Sequence, residues 1–442
     1  MLKNLFYNHD WILTTLILAI LTIGITTIFS TSIGSSQNNF DKQIIFSIIG
    51  FFIYLGISVV DYTYFRYKPI LLGLYCFTMF LLLLSVVVGS NVRGAVRWLQ
   101  VGLINIQPSE LSKFILIFSL SSFFSSIKSD SNLDKLKSLF IYFPLAILVL
   151  IEPSLSSTIV LTMIWASLFF FQGNDQVKKL LSVLFIILAI NLGSRTFMPS
   201  LFYLPTIFHI SLGIVVIILA MGISLIALKI LKFKMICLLL IVGIFIGTST
   251  QLVWNHVLYG YQKERIIVFL SLNNTPAETQ KLSKTTQNRI AAGKFQLDQS
   301  KIAIGSGSLF GKGFAQGTQS KLKFLPDHDT DFIFASFSEE FGLVGDIILL
   351  ALFCGLFFRI IQVAEKVTDR FGFFVLIAIV TMLAFQTFIN IGINIGLLPS
   401  TGMPMPLISY GGSSLWITLI LLGFVQSIYR RTSEKKWLNI EI

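Results

Sequence analysis

Carboxyl groups stand at the point where a long polar stretch of the chain meets a strongly apolar segment. The sequence there is LPDHDTDF at 325–332, and the apolar segment begins at Phe332. A charged side chain near a bilayer costs about 2.5 kcal/mol or more unless it pairs, snorkels or faces water, so the carboxylates held here are candidates for a functional role. The alternative is that Asp329 and Asp331 cap the following helix, whose dipole favours negative charge at its start.

The composition predicts a membrane protein. Hydrophobic residues make up 55% of the 442, 42 residues are phenylalanine, and only 12% are charged. A soluble protein of this length could not bury so much apolar surface, whereas each crossing of a bilayer takes about 20 apolar residues. The expected fold class is all-α, a polytopic transmembrane helical bundle with about 10–12 spans. Apolar stretches predict these spans at about 11–31, 43–60, 69–89, 110–127, 137–151, 155–171, 179–194, 207–228, 235–254, 333–358, 371–395 and 410–429.

Basic residues in the short loops predict the orientation of the bundle. Lysine and arginine collect on the cytoplasmic side of membrane proteins, and here every second short loop is enriched in them, as is the C-terminal tail. We therefore expect both termini in the cytoplasm, with 255–331 as one long extracytoplasmic loop within a single integral-membrane domain, 1–442. Topology and anionic lipid headgroups account for most of the net charge of +12, so no nucleic-acid partner is expected.

Two further polar segments lie at the predicted external edges. The first reads RGAVRWLQVG at 93–102 and QPSELSK at 107–113. Pro108 suits the first position of a helix, and Glu110 and Lys113 then share one face just inside the membrane, either as a self-satisfied ion pair or as part of a functional site. The second segment, 394–414, is rich in proline, glycine and hydroxyl groups. Irregular backbone at that depth is tolerated only where it is buried or lines a cavity, so a polar cavity open to the outer face explains both segments.

Glycines at 305–313 do not form a nucleotide-binding loop. Lys312 is followed by Gly313 rather than by Ser or Thr, and the glycine spacing is not GxGxxG. These glycines instead predict a close approach of the backbone to another part of the molecule. Upstream, TPAE at 275–278 is a capping box with proline at the first helical position, which predicts a short surface helix to about Ala292.

Metal and redox chemistry are not expected from the cysteines and histidines. The three cysteines, Cys76, Cys237 and Cys354, lie far apart in apolar segments, and the four histidines are scattered. No metal site is therefore predicted. A divalent cation that assists the reaction stays open as an alternative cofactor.

Together and in this order, these segments resemble the RodA/FtsW (SEDS) family of bacterial cell-wall glycosyltransferases. The resemblance runs from about residue 10 to 431, and its most specific blocks are 299–345 and 390–416. GKGF at 311–314 with GTQ at 317–319, and NIG at 390–392 followed by Asn394, look closer to the RodA (elongation) branch than to the FtsW (division) branch.

The resemblance implies a peptidoglycan glycosyltransferase that polymerises lipid II, a disaccharide-pentapeptide on undecaprenyl pyrophosphate, at the outer face of the bacterial cytoplasmic (inner) membrane. It implies Asp331 as the catalytic acid, here the general base of an inverting transfer, and a class B penicillin-binding protein (a transpeptidase) as partner. The residues then expected to bind the substrate or to neutralise its pyrophosphate are Lys113, Glu110, Arg97, Trp98, Arg265, Gln319, Asn394 and Ser409.

Departures from the family pattern keep alternatives open. The family reads L-P-E-x-H-T-D-F, whereas here Asp327 replaces the glutamate and His328 is displaced by one place. The spans at 179–194 and 207–228 look like an inserted pair. A flippase or transporter of lipid-linked precursors would also need a polar cavity, and a scaffold for a transpeptidase would tolerate loss of Asp331. A division or sporulation paralogue is a further alternative.

Overall fold

A computed structural model describes residues 8–33, 39–92, 95–101, 104–127, 132–152, 154–172, 265, 284–322 and 324–438. The chain divides into two compact units, one of Met1–Phe169 with Thr285–Ile442 and the other of Phe170–Lys284. The predicted spans at 179–194, 207–228 and 235–254 and the capping box at 275–278 lie outside the described residues. The total number of spans and the single integral-membrane domain therefore stay predictions.

Helices make up nearly all of the described architecture. In chain order they are α1 (Trp11–Ser32), α2 (Asn39–Val59), α3 (Lys68–Val88), α4 (Pro108–Ser126), α5 (Asn132–Leu136), α6 (Leu139–Ile151), α7 (Leu155–Gln172), α8 (Lys284–Gly307), α9 (Thr318–Lys321), α10 (Ile333–Lys366), α11 (Arg370–Asn394) and α12 (Gly412–Leu438). Seven of the described helices are long and apolar enough to cross a membrane, namely α1, α2, α3, α7, α10, α11 and the Gly412–Thr432 part of α12. The prediction of a polytopic helical bundle is confirmed.

Most helix boundaries agree with the predicted spans to within a few residues. Helix α1 begins after Asp10, whose carboxylate accepts a hydrogen bond from the Leu13 N–H at 3.2 Å, and α4 begins at Pro108 as expected. The end of α8 was predicted wrongly, because the helix continues past Ala292 to Gly307. In the second half of α8, Ala303 is buried in an apolar cluster that also contains residues of α10 and α11. This packing stabilises the additional turns of the helix.

Helix α10 is broken at Gly342, where φ is +63°. Residues 308–313 approach the break closely, and Gly311 also has a positive φ, +78°. A Cβ atom at either glycine would collide with the backbone of the other segment. Four backbone hydrogen bonds join the two segments: Lys312 N–H to Glu339 O (2.9 Å), Gly313 N–H to Glu340 O (3.0 Å), Leu343 N–H to Ser308 O (3.0 Å) and Val344 N–H to Leu309 O (3.0 Å). The close approach predicted from the glycine run is confirmed.

Two side-chain contacts tie α10 to α1 at opposite ends of the bundle. The Arg359 Nε donates to the Asp10 carboxylate at 2.7 Å, and the Ser30 hydroxyl donates to the Glu340 carboxylate. We call these ends the Arg359 end and the Asp331 end, since Asp331 directly precedes the first turns of α10. Helix α11 packs against both α10 and α4, and α12 packs against α2. Helix α11 is thus the common neighbour of the helix that follows Asp331 and the helix that carries Glu110 and Lys113.

A small antiparallel sheet, which was not predicted, lies between α3 and α4 in the chain. Its strands are β1 (Ser90–Val92), β2 (Ala95–Val101) and β3 (Ile104–Ile106), in the order β1-β2-β3. Trp98 pairs with Ser90 in the register of β1 and β2. The strands are separated by two-residue sequences that each contain a glycine, Arg93-Gly94 and Gly102-Leu103. Short glycine-containing connections between β-prone runs are a hairpin signal that could have predicted the sheet.

Substitution of Gly342 by alanine tests the break in α10. Gly342→Ala places a Cβ atom against the Gly311 and Leu309 backbone at a positive φ, so we expect a loss of about 2 kcal/mol or more in the free energy of unfolding. Gly305→Ala is the matched control, because Gly305 lies inside α8 with open space around it, and alanine there should be neutral or stabilise by up to about 1 kcal/mol. Thermal unfolding in detergent measures both variants. Equal melting temperatures would contradict the geometry of the break.

Candidate active site

The backbone of Asp331 is held from α11. The side-chain amides of Asn390 and Asn394 both donate to the Asp331 carbonyl oxygen at 3.0 Å. The Asn394 Oδ1 also accepts from the Ala335 N–H at 3.0 Å, which satisfies one of the free donors in the first turn of α10. Asn394 is fully buried, and its amide group positions the Asp331 backbone through these contacts. Its contact with substrate stays a prediction.

The two carbonyl groups that precede this one are held by the segment between α11 and α12. The Ser409 hydroxyl donates to the Thr330 carbonyl oxygen at 2.7 Å and accepts from the Met405 N–H at 2.8 Å. The Tyr410 N–H donates to the Asp329 carbonyl oxygen at 2.8 Å. Ser409 is buried, and its hydroxyl group both donates and accepts within the protein, which gives it a positioning role. Its contact with substrate stays a prediction. Three successive carbonyl groups, at 329–331, thus each accept a hydrogen bond from 390–410.

The side chain of Asp329 fixes the same turn to the α1–α2 pair. One carboxylate oxygen accepts from the Thr31 hydroxyl at 2.6 Å, and the other accepts from the Asn39 side-chain amide at 2.9 Å. His328 lies beside it, with its Nε2 at 3.2 Å from Asp329 Oδ1 and its Nδ1 at 2.9 Å from the Leu325 carbonyl oxygen. Helix α10 has Phe332 as its N-cap residue, without a side-chain cap. The cap alternative is therefore wrong for Asp329, which instead ties α1 and α2 to the turn.

Electrostatics at the turn keep the neighbouring tyrosine protonated. Burial, together with the negative charge of Asp329, raises the pKa of the Tyr410 phenol. Tyr410 therefore stays a neutral hydroxyl group throughout the physiological pH range. Asp331 itself is partly exposed at the end of this turn, whereas Phe332 and the residues after it are buried.

Glu110 and Lys113 form a buried ion pair in the first turns of α4. The Lys113 Nζ lies 2.6 Å from Glu110 Oε1, and the two side chains are only 3% and 8% exposed respectively. The predicted shared face is confirmed, and the ion pair that the sequence suggested is present. A role of this pair in a functional site stays a prediction. Because α4 packs on α11, the pair lies on a direct neighbour of the helix that holds Asp331.

Gln319 is positioned by a buried carboxylate of α10. Glu339 is fully buried and accepts from the Thr318 N–H at 2.9 Å, the Thr318 hydroxyl at 2.8 Å and the Gln319 N–H at 3.2 Å, while the Lys312 Nζ lies 2.6 Å from it. The side-chain oxygen of Gln319 is buried, and no described residue donates a hydrogen bond to it. An acceptor in that state suits a ligand that brings a hydroxyl or amide donor.

The remaining predicted site residues are placed only in part. Arg97 and Trp98 lie in β2. The Ser413 hydroxyl at the start of α12 donates to the carbonyl oxygen of Asn105 in β3 at 2.9 Å, which connects the sheet to α12. Arg265 is half-buried and belongs to the other compact unit. Substrate contacts of these three residues stay predictions. Within the described ranges, no group of three or more His, Cys, Asp or Glu side chains could hold a metal ion.

Known proteins match this chain over nearly its whole length. The family model for FtsW, RodA and SpoVE, described as cell cycle proteins, matches residues 10–203 and 195–434. The peptidoglycan glycosyltransferase RodA of Treponema pallidum is 31% identical, covering 96% of this chain and 98% of the relative. Stage V sporulation protein E of Bacillus subtilis is 31% identical, covering 96% of this chain and 97% of the relative. A solved chain from a peptidoglycan synthase complex that coordinates polymerization and crosslinking has a TM-score of 0.64 at 23% identity, covering 96% of this chain and 98% of that one.

An exchange of side chains between positions 39 and 329 tests the tie to the α1–α2 pair. Asn39→Asp alone places two carboxylates at about the present 2.9 Å contact, so we expect a loss of about 1–3 kcal/mol in stability at neutral pH. This loss should shrink as the pH falls and one carboxyl group takes up a proton. Adding Asp329→Asn lets the amide and the carboxylate exchange places and should restore the melting temperature. A single variant as stable as the parent at pH 7 would disprove the contact.

Proposed function

The chain belongs to the FtsW/RodA/SpoVE family, and on that premise we propose that it is a peptidoglycan glycosyltransferase of the bacterial inner membrane. The proposed reaction polymerises lipid II, in which undecaprenyl pyrophosphate carries a disaccharide-pentapeptide, at the outer face of that membrane. The observation that carries the proposal is the held backbone of Asp331 at the start of a membrane helix. The GKGF and GTQ motifs favour an elongation role of the RodA type over a division or sporulation role.

Asp331 acts as general base in this proposal. Its carboxylate takes the proton of an acceptor sugar hydroxyl as the hydroxyl oxygen attacks the anomeric carbon of the donor. The bond from that carbon to the pyrophosphate oxygen breaks, and its electron pair leaves with the pyrophosphate, so the anomeric configuration is inverted. A positioned carboxylate contributes typically about 10²–10⁴-fold to such a step. One base is sufficient here, unlike in retaining glycosidases, which use two close carboxyl groups.

The support for Asp331 as general base comes from the way its backbone is held in place. A catalytic group works only when it is held within about 0.5 Å of its productive place by well-fixed neighbours. The carbonyl groups of Asp329, Thr330 and Asp331 each accept a hydrogen bond from 390–410, so the backbone that carries the proposed base has little freedom. A residue that only capped α10 would not need this number of supports.

Charge neutralisation of the pyrophosphate falls to basic side chains. The leaving group departs as an anion, so it needs a cation rather than an acid. Lys113 is the favoured candidate because its ammonium group is buried beside Glu110 on a helix that packs against α11. Arg97 and Arg265 are the further candidates. Gln319, whose side-chain oxygen is buried, and Trp98 are proposed as contacts for the sugar or peptide of the substrate.

A crosslinking partner fits the same proposal. The solved relative belongs to a complex that coordinates polymerization with crosslinking, and a class B penicillin-binding protein supplies crosslinking chemistry. The surface offered to it here is the exposed part of α8 around Lys294 and Phe295. Docking on α8 would stabilise the adjoining apolar cluster, which joins Ala303 of α8 to Phe332 beside the proposed base, and so favour the competent site.

Asp331→Asn tests the proposed base. We expect the variant to fold and insert normally and to lose polymerisation by about 10²–10⁴-fold or more, because it removes the base with almost no change in volume. Purified protein in vesicles is supplied with lipid II, with and without the transpeptidase, and glycan polymer is measured. The control is Asp41→Asn, an exposed carboxylate in the first turn of α2, which should retain activity. Polymer from Asp331→Asn at the parental rate would support the scaffold alternative, and lipid II translocation without polymer would support the flippase.

Neutralising the ion pair of α4 separates its two interpretations. Lys113→Met alone leaves the Glu110 carboxylate buried without its partner, so we expect a loss of about 3–5 kcal/mol in stability. The double variant with Glu110→Gln should regain the melting temperature and remain inactive, because the cation for pyrophosphate is still missing. Thermal unfolding and polymer yield are measured on the same samples. Recovery of activity in the double variant would show that Lys113 only balances Glu110.

A further inference from the structure

The two ties between α1 and α10 locate the break at Gly342 relative to a bilayer. Ser30 follows Asp10 by about twenty residues, a rise of about 30 Å at about 1.5 Å per helical residue, and the separation of Glu340 from Arg359 is about the same. The hydrocarbon core of a bilayer is also about 30 Å thick. If the charged tie of Asp10 and Arg359 marks one boundary of that core, the tie of Ser30 and Glu340 marks the other.

Residues 308–314, which we call the aromatic loop, lie at this second boundary. Backbone hydrogen bonds join the loop to both sides of the break, from Gly313 N–H to Glu340 O at 3.0 Å and from Val344 N–H to Leu309 O at 3.0 Å. Phe314 stacks on Phe29 in the last turn of α1, with ring centroids 6.1 Å apart. Two independent contacts, to α10 and to α1, therefore place the loop at the level where these helices leave the hydrocarbon.

The apolar side chains of the aromatic loop are exposed. Phe310 is 80% exposed and Leu309 is 58% exposed. The segment of α10 to which their backbone is bonded continues with further exposed apolar residues, Leu343, Val344, Ile347 and Ile348. In a helix that spans a membrane, such a face contacts lipid. The aromatic loop extends this lipid-facing surface at its edge, and an exposed apolar surface of this kind marks a membrane or protein contact.

We propose that the aromatic loop is a membrane anchor, with Leu309 and Phe310 inserted among the acyl chains of the leaflet at the Asp331 end. Lys312 lies two residues after Phe310, and its ammonium group pairs with Glu339 while remaining partly exposed, as suits a position beside lipid headgroups. Through Glu339 the anchored loop is continuous with Thr318 and Gln319. The anchor holds this part of the site at a constant depth, where the headgroup of a lipid-linked molecule meets water.

Site-directed quenching tests the depth of the loop. A cysteine replaces Phe310 in a background without the native cysteines, is labelled with a small fluorophore and is reconstituted in vesicles. Phe310→Cys should be quenched by a nitroxide on the lipid acyl chain and protected from aqueous iodide. Ile348→Cys, on the exposed face of α10, is the control for lipid contact, and Gln316→Cys, an exposed polar position after the loop, is the control for water. Leu309→Cys provides a second position in the loop should the first fail to fold.

We expect position 310 to be quenched by the nitroxide as strongly as position 348. Iodide quenching equal to that at position 316 would overturn the proposal, because the loop would then lie in water. Protection from both quenchers would also overturn it, since a protein segment rather than lipid would cover the loop. The measurement needs neither substrate nor partner, so its outcome is independent of the proposed transferase activity.

Discussion

An interrupted helix in a bilayer must have its free backbone groups satisfied by the protein itself, because the hydrocarbon offers no hydrogen bonds. This requirement organises the molecule around the break at Gly342. The loop at 308–313 supplies the missing partners, and its glycines allow the backbones to approach closely enough to bond. Glu339, one turn before the break, then carries the connection to Thr318 and Gln319. One defect in the backbone of α10 therefore gathers a loop, a short helix and a predicted site residue in one place.

The turn before α10 follows the same logic, since it is held through main-chain atoms. Asn390 and Asn394 donate from α11, and Ser409 donates from the irregular segment that follows. Buried side-chain amides and hydroxyls of this kind are costly to leave unpaired, so each one fixes the carbonyl group that it binds. The buried charges of Lys113 and Glu110 likewise satisfy each other, since the two side chains form an ion pair. The backbone at 329–331 is fixed because each of its carbonyl groups accepts a hydrogen bond from 390–410.

The sequence predicted the described spans well because hydropathy and length are local properties. The start of α4 at Pro108 and the contact of Glu110 with Lys113 also depend only on neighbouring residues. The hydrogen bonds of Asn394 and Ser409 to the 330–331 backbone could not be predicted in this way, because their partners lie far away in sequence. The continuation of α8 to Gly307 likewise depends on packing against other helices. The small sheet has a local signal in its glycine-containing connections, but two of its three strands span only three residues each and lie between long apolar helices.

As a proposed contact for the substrate, the buried side-chain oxygen of Gln319 would make the site selective for ligands that can donate a hydrogen bond to it. Its N–H is fixed by Glu339, so the side chain starts from a defined place, and no described residue donates to its Oε1. Folding has already removed this acceptor from water, which costs desolvation free energy. A ligand with a correctly placed hydroxyl group would recover that cost, whereas its deoxy analogue would leave the acceptor unpaired. Sites of this kind reject analogues that lack one hydroxyl group by factors of about 10⁴–10⁵, far more than an apolar pocket achieves for one methylene group.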